Sequence, residues 1–178
     1  MDSDDIACKD RCEKQLRVLE EGIDIVSGTV VEFEKDILHC KAKRTLPLSK
    51  EEILKFAGRR NPFNHPCVMY RKEAVEKAGG YQHFYLFEDY YLWARMLLLG
   101  VEARNLPDTL LYMRAGTGMY KRRGGWKYVK SMLHFRLFLW KSGLSSFWDF
   151  VVCAGGQMMI CLIPNRLREL FYKKFLRK

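Results

Sequence analysis

Helical segments that end at glycine alternate with strand-like segments along the first two thirds of the sequence, and this alternation limits the chain to an α/β fold. The segments of helical pattern are 8–21, 49–58, 71–80 and 88–99, each closed by or followed by a glycine. The strand-like segments are 22–34, a short buried strand at 67–70, and two short strands around Pro107 within 101–114. The length of 178 residues suits one domain with a substantial core.

The last third of the chain is strongly basic, whereas the rest is not. Residues 114–178 carry 14 Lys and Arg against only Asp149 and Glu169, a net charge of +12. Residues 1–113 have a net charge of −2. This asymmetry favours an anionic partner, either nucleic acid or an anionic membrane surface.

The six cysteines form no CxxC pair, and none has a partner at the spacing of a zinc finger. Free thiols in a reducing cytosol are therefore expected.

Three carboxylates lie within the first five residues, at Asp2, Asp4 and Asp5. Alternate carboxylates on an extended segment or tight turn can converge on one hard cation. Mg²⁺ and Mn²⁺ favour one or two carboxylates completed by phosphate oxygens. A solvated acidic terminus is the structural alternative.

A second acidic pair, Glu88 and Asp89, opens the apolar helix at 88–99. Carboxylates in a first helical turn are favoured by the helix dipole, so capping alone explains the pair. The aromatic residues that follow would, alternatively, desolvate Asp89 and keep it a competent general base in a cleft.

The segment 61–66 is a loop in which two prolines hold Asn61, Asn64 and His65. A rigid loop with these side chains suits the recognition of hydroxyl groups, and a structural histidine is the alternative.

A glycine-rich basic loop spans residues 116–125. Glycines let the backbone approach a phosphate, and Lys121, Arg122 and Arg123 supply charge for contact with phosphate or membrane. A solvated basic loop is the alternative.

The order of these motifs resembles that of the family 2 glycosyltransferases of GT-A fold. It runs from D-x-D-D through an N-P-x-x-H-P loop, a strand and helix ending in G-G-Y, an E-D-x-x-L-W helix and a Y-x-R strand to the basic loop. The tail, from MYKRRGGWKY to IPNRLRELFYKKFLRK, looks like that of the subgroup that builds capsular polysaccharides and exopolysaccharides, including the amylovoran-type transferases. The resemblance covers essentially the whole chain.

The resemblance implies an inverting transfer from a nucleotide-sugar, in particular a UDP-sugar, to a growing, lipid-linked polysaccharide. Asp89 would be the catalytic base that deprotonates the acceptor hydroxyl. Asp4 would ligate the Mn²⁺ or Mg²⁺ that bridges the donor diphosphate. Asp2, at the ribose, and Asp5 would bind the nucleotide-sugar. The acceptor and donor-sugar pockets would be shaped by Glu88, Trp93, His65 and Asn61.

The fold that the resemblance implies is the C-terminal half of a Rossmann-like GT-A domain, α/β with a mixed sheet, at residues 1–125. A basic amphipathic helical tail would follow at 126–178. In the family the acidic motif ends the nucleotide-binding half, which holds about three βα units, or roughly 90 residues. The chain is therefore expected to lack most of that half and to bind a nucleotide-sugar poorly by itself. Many relatives also carry a histidine that can join the metal site after the Y-x-R strand, where this chain has Ala115.

The tail begins with a predicted helix at 126–143, followed by an apolar segment at 147–163 and, after Pro164, a basic amphipathic helix at 165–178. In the first of these the apolar residues at helical spacing are Trp126, Val129, Met132, Leu133, Leu137 and Trp140. The apolar segment is a poor transmembrane candidate, since a bilayer span needs about 20 mainly apolar residues.

The basic helix has the pattern of an interfacial helix on an anionic leaflet, where each Lys or Arg contributes about 1 kcal/mol. We therefore expect a cytoplasmic protein bound peripherally at the inner face of a bacterial plasma membrane. The alternative is that the apolar stripe of this helix packs on the catalytic domain.

Two other functions remain compatible with the sequence. One is a nucleic-acid-binding module that uses the basic tail. Its basic residues alternate with aromatic residues of buried type and no nucleic-acid-binding motif is present, so no nucleic-acid partner is expected. The other is a non-catalytic remnant that docks at a membrane or on a partner chain.

Overall fold

The computed structural model describes residues 1–34, 36–37, 40–114 and 125–162. The predicted basic helix at 165–178 and the basic loop residues Lys121, Arg122 and Arg123 lie outside the described residues.

The described part of the chain contains strands and helices in the α/β alternation that the sequence predicts. The strands are β1 (Ile6–Ala7), β2 (Ile25–Phe33), β3 (Cys40–Arg44), β4 (Met69–Tyr70) and β5 (Ala103–Arg114). The helices are α1 (Arg11–Glu20), α2 (Lys50–Ala57), α3 (Lys72–Lys77), α4 (Glu88–Leu98), α5 (Trp126–Lys141) and α6 (Phe147–Leu162), and a 3₁₀ turn at His65–Cys67 precedes β4.

The strands form one mixed sheet with β2 and β5 at its centre. These two strands are parallel, paired from Ile25 with Ala103 to Phe33 with Arg114. On the far side of β5 lies β1, antiparallel to it. On the other side of β2, β3 and β4 pair with its C-terminal and N-terminal halves, both antiparallel. The mixed sheet expected from the sequence is thus confirmed.

One continuous strand stands where the sequence predicts two short strands around Pro107. In the ladder Gly28 pairs with Leu106 and Thr29 pairs with Thr109, so Pro107 and Asp108 form a bulge. A bulge accommodates the missing N–H of proline without ending the strand. The Thr29 hydroxyl donates to the carbonyl of Pro107 at 3.1 Å, which closes the bulge against β2.

The predicted strand at 67–70 is also shorter than expected. Cys67 belongs to the 3₁₀ turn, and only Met69 and Tyr70 pair with β2. Tyr70 is 37% exposed, so this end of the segment is not buried. The predicted helix at 49–58 is confirmed, because Ser49 and Glu52 form a reciprocal capping box at the start of α2.

Helices cover both faces of the sheet. Ile25 packs with α2, α3 and α4, whereas its neighbour Val26 packs with Val18 and Leu19 of α1. Successive residues of a strand point to opposite faces, so these two contacts define a three-layer arrangement. The fully buried Trp93 of α4 lies in the larger of the two cores.

The helix α5 packs on α4 through a face that differs from the predicted stripe. Its buried residues include Tyr128, Met132, Phe135 and Leu139, which form one cluster with Phe87, Tyr90 and Ala94. Trp126 and Trp140, expected on the buried face, are 80% and 38% exposed. Among the described helices, none is long and apolar enough to cross a bilayer.

Candidate functional site

The loop at 61–66 is fixed to the centre of the sheet by buried hydrogen bonds. The side-chain amide of Asn64 donates to the carbonyls of Gly28 and Arg44 at 2.8 and 3.1 Å. The side-chain amide of Asn105, on β5, donates to the carbonyl of Pro62 at 3.0 Å. Asn64 therefore anchors the loop, and because its side chain makes these internal hydrogen bonds it is only 6% exposed.

This anchored loop brings Asn61 and His65 to Asp89 at the start of α4. The side-chain nitrogen of Asn61 donates to Asp89 Oδ2 at 3.1 Å. His65 Nδ1 lies 3.9 Å from the same oxygen. The other oxygen, Oδ1, accepts from the backbone N–H of Tyr90 at 2.7 Å. Two of the sequence-predicted site residues, Asn61 and His65, thus approach the carboxylate of a third, Asp89, which remains 27% exposed.

The orientation of Asn61 is set by its own loop. Its side-chain oxygen accepts from the backbone N–H of Phe63 at 3.3 Å, so the amide nitrogen is the atom that faces Asp89. The carboxylate is therefore held by a fixed donor while it stays open to solvent, an arrangement that suits proton abstraction from a bound hydroxyl.

Trp93, predicted to shape a sugar pocket, is fully buried and does not contact solvent. Around its indole stand the rings of Tyr70 and Tyr81, with centroids at 5.8 and 6.1 Å, and of His65 at 6.5 Å. Trp93 therefore supports the wall of the site, and the exposed ring surface belongs to Tyr70 and Tyr81, which are 37% and 50% exposed.

Tyr70 and Tyr81 are functional candidates that the sequence reasoning missed. Burial, followed by the proximity of Tyr70 and Asp89, raises the pKa of Tyr81 to about 12. The Tyr81 hydroxyl is therefore neutral at physiological pH, and the charge of Asp89 contributes to its raised pKa. The available signal was the G-G-Y motif itself, which places an aromatic residue directly after the helix-ending glycines.

Glu88, the other half of the acidic pair, is turned toward the backbone. Its Oε1 accepts from the backbone N–H of Leu86 at 3.3 Å. Leu86 has φ of +61°, in the left-handed region that a leucine rarely adopts. The observed contact of Glu88 is therefore with the strained turn that leads into α4.

The carboxylates of the N-terminal turn gather at the C-terminal end of β5. Asp5 accepts from the backbone N–H groups of Arg114 and Asp2 at 3.0 and 3.1 Å, so it holds the turn together. Asp4 lies 3.7 Å from Arg114 Nε. The guanidinium of Arg114 rests over the ring of Phe33 at 4.7 Å. Asp2 and Asp4 are exposed, and their carboxylates are accessible to a ligand.

The Asp89 group and the acidic N-terminal turn lie near different points along β2. The loop that meets Asp89 is anchored at Gly28, and the acidic turn lies near Phe33. At about 3.3 Å per strand residue, these points are roughly 16 Å apart. In the described segments no set of three or more His, Cys, Asp or Glu side chains converges as a metal site.

No family model matches the chain. It is 39% identical, over 98% of its length, to the amylovoran biosynthesis glycosyltransferase AmsE of Erwinia amylovora. Over its whole length it is 40% identical to an uncharacterized glycosyltransferase of Haemophilus influenzae. It is also 35% identical, over 99% of its length, to an Escherichia coli enzyme named UDP-Gal:alpha-D-GlcNAc-diphosphoundecaprenol beta-1,3-galactosyltransferase.

The chain spans 65%, 67% and 65% of the lengths of these three relatives. The similarity extends across both the Asp89 region and the acidic turn, since it includes nearly every residue of this chain. The chain belongs to the glycosyltransferases.

Proposed function

We propose that the chain carries the acceptor side of a glycosyltransferase active site that works in polysaccharide biosynthesis, with Asp89 as the catalytic base. The main support is the partly exposed Asp89 carboxylate, whose Oδ2 accepts a hydrogen bond of 3.1 Å from the side-chain amide of Asn61. The exposed rings of Tyr70 and Tyr81 belong to the same site. Aromatic faces and amide groups are suited to binding sugars, because a sugar ring has both apolar C–H surfaces and hydroxyl groups.

The reaction would be an inverting displacement. The acceptor hydroxyl binds near His65 and transfers its proton to Asp89 Oδ2 as its oxygen attacks the anomeric carbon of the donor sugar. The bond from that carbon to the diphosphate breaks in the same step, and the nucleoside diphosphate leaves from the opposite face. The names of two relatives, which specify amylovoran biosynthesis and a diphosphoundecaprenol-linked acceptor, support a UDP-sugar donor and a lipid-linked saccharide acceptor.

A divalent Mg²⁺ or Mn²⁺ fits the acidic turn as a partner of the donor diphosphate. Asp5 is engaged by backbone amides, which leaves the exposed Asp4 as the carboxylate ligand of the ion. One or two carboxylates plus phosphate oxygens is the ligand set that these ions favour. When bound, the ion would stabilise the charge that develops on the leaving diphosphate. Asp2 would lie at the ribose, as the family resemblance implies.

We also infer that the protein works at the inner face of a bacterial plasma membrane, bound peripherally. The support is the basic character of residues 114–178 together with exposed apolar residues on α6, among them Trp148, Val152 and Met159. A lipid-linked acceptor would be presented at such a surface.

The experiment that tests the proposed function is the Asp89→Asn substitution, made in the gene of the native host. Membranes from these cells would be supplied with labelled UDP-sugars, and transfer into the lipid-extractable fraction would be measured. We expect the variant to lose roughly 10²- to 10⁴-fold in rate, the usual contribution of a general base, and EDTA to abolish transfer by the unmodified protein.

The matched control is Glu73→Gln, which also removes one carboxylate from a first helical turn, on the exposed surface of α3. It should retain full transfer. If the Asp89→Asn protein is present at normal levels and transfers as fast as the Glu73→Gln protein, Asp89 is not the base.

A further inference from the structure

A cationic surface depression of about 340 Å³, here called the cavity, lies between the segment 83–85 and one face of α5 and is largely open to solvent. Its polar lining consists of Lys127, Lys130, Ser131, His134 and His83. We propose that this cavity binds the diphosphate group of a phosphorylated acceptor. The volume is at the lower end of the range for small-molecule sites, which suits a compact anionic group.

Four of these residues occupy one face of a single helix. Lys127, Lys130, Ser131 and His134 follow the spacing i, i+3, i+4, i+7, which aligns side chains along a helix. All three basic side chains of this set are exposed, whereas the residues that pack on α4 lie on the other side of α5. The polar face is therefore distinct from the face that folds the protein.

Two contacts fix this face against the opposite wall. Lys127 Nζ lies 4.2 Å from the centre of the Tyr85 ring. The Ser131 hydroxyl donates to the carbonyl of Tyr85 at 2.8 Å. The cavity is thus bordered by two segments that contact each other, and most of it is open to solvent.

The charge of the cavity has no compensating carboxylate among its lining residues. The whole stretch from Gly125 to Ser146 contains no Asp or Glu. Lys127 also lies in the first turn of α5, where the helix dipole already favours a negative charge and opposes a positive one. A bound anion would relieve both the repulsion between the lysines and the unfavourable placement of Lys127, and lysines supply the charge-assisted hydrogen bonds that hold phosphate.

The position of the cavity determines which phosphate group it suits. Along the chain, the segment 83–85 leads through the hydrogen-bonded Phe84–Phe87 turn into α4, so Asp89 follows Tyr85 by four positions. Trp126, 80% exposed, stands beside Lys127. Four residues of chain span at most about 14 Å, so an acceptor with its sugar at Asp89 would have its diphosphate within reach of this cavity. Naming the acceptor rests on the proposed function, whereas the diphosphate site itself does not.

Calorimetric titration of the full chain with inorganic pyrophosphate in EDTA tests the site. The chelator removes binding through a metal at Asp4. We expect Lys130→Gln to weaken pyrophosphate binding about tenfold, the value of one charge-assisted hydrogen bond. Lys141→Gln, an equal charge change on the exposed end of the same helix, should leave binding within about twofold. Absence of binding, or equal loss in both variants, would overturn the proposal.

A second measurement distinguishes the source of the diphosphate. Phosphatidylcholine vesicles containing a polyprenyl diphosphate would be compared with vesicles of equal charge containing phosphatidylglycerol, and UDP would be used as a soluble competitor. Preference for the diphosphate vesicles, lost in Lys130→Gln, supports the acceptor assignment. Displacement by UDP with no vesicle preference would overturn it. Asp89→Asn should retain pyrophosphate binding, so failure of the proposed base and failure of this site give different results.

Discussion

Tyr81 is the residue whose contribution to acceptor binding can be isolated most cleanly. Its ring is half exposed, 6.1 Å from the Trp93 indole, and close enough to Asp89 to feel its charge. Removing the ring in Tyr81→Ala should raise the acceptor KM by roughly two- to tenfold, the value of an aromatic contact, with a smaller effect on kcat. Steady-state kinetics with varied acceptor would measure it.

Tyr81→Phe serves as the control for this prediction, because it keeps the ring and removes only the hydroxyl. It should bind acceptor nearly as well as the unmodified protein. Equal KM values for the alanine variant and the unmodified enzyme would show that Tyr81 lies outside the acceptor site.

At the level of single residues, the local sequence pattern identifies Asp89 as a candidate, but it does not predict which side chains contact Asp89. An acidic pair at the start of an apolar helix is visible in the sequence, and so is the proline-bounded loop at 61–66. The contact between Asn61 and Asp89 joins residues 28 positions apart and depends on the anchoring of Asn64 to β2. Gln15 shows the same limit, since it is fully buried and bonds to the carbonyl of Cys67, 52 residues away.

Among the secondary-structure elements, the end of α2 lies close to the turn between α5 and α6, and this contact can be tested by substitution. A Cβ added at Gly58 would lie 2.5 Å from the carbonyl oxygen of Leu144 and 3.2 Å from Ser145. Backbone atoms cannot yield as a flexible side chain can, so Gly58→Ala should destabilise the protein by about 1–3 kcal/mol. Urea unfolding followed by circular dichroism would measure the change.

Gly156→Ala provides the opposite control within α6. An added Cβ there meets no atom within 4 Å, and alanine is favoured over glycine inside a helix by up to about 1 kcal/mol. This variant should therefore be slightly more stable than the unmodified protein. A Gly58→Ala protein as stable as Gly156→Ala would show that the two segments are not in contact in solution.

Helices could be predicted from the sequence more closely than strands because their end signals are local. Ser49 and Glu52 predict the start of α2, and both residues make the expected capping contacts. The bulge at Pro107 and the brevity of β4 depend on pairing with β2, which no local pattern specifies. The buried face of α5 is likewise chosen by its packing on α4, which is why Trp126 and Trp140 are exposed.

On the scale of the whole molecule, the core shared by α4 and α5 connects three features: the candidate base Asp89, the cationic face of α5 and the helix α6. Phe87 and Tyr90 next to the candidate base pack on Met132 and Phe135 of α5. Because α5 also carries the cationic face, the same packing attaches the cavity to the first turn of α4, which contains Asp89. The helix α6 joins the same cluster through Cys161 and Met158, and its exposed surface carries apolar side chains.

That surface leads to a prediction for membrane binding. Trp148 and Val152 lie one helical turn apart on α6 and are 73% and 69% exposed. Burying such side chains in a bilayer interface would stabilise the bound state by about 1.5–3 kcal/mol per residue when burial is complete, and both residues belong to the segment 114–178, which has a net charge of +12. The double variant Trp148→Gln/Val152→Gln should therefore bind vesicles of phosphatidylglycerol and phosphatidylcholine at least about tenfold more weakly in a co-sedimentation assay.

Leu16→Gln is the matched control, since Leu16 is also an exposed apolar residue, 52% accessible, on the outer surface of α1. It should leave vesicle binding unchanged. Because all three substituted side chains are exposed, neither variant should alter the urea unfolding curve appreciably, and a difference in sedimentation then reports on the surface alone. Equal sedimentation of the two variants with anionic vesicles would mean that the exposed face of α6 does not contact lipid. The proposed peripheral membrane binding would then depend on the basic residues alone.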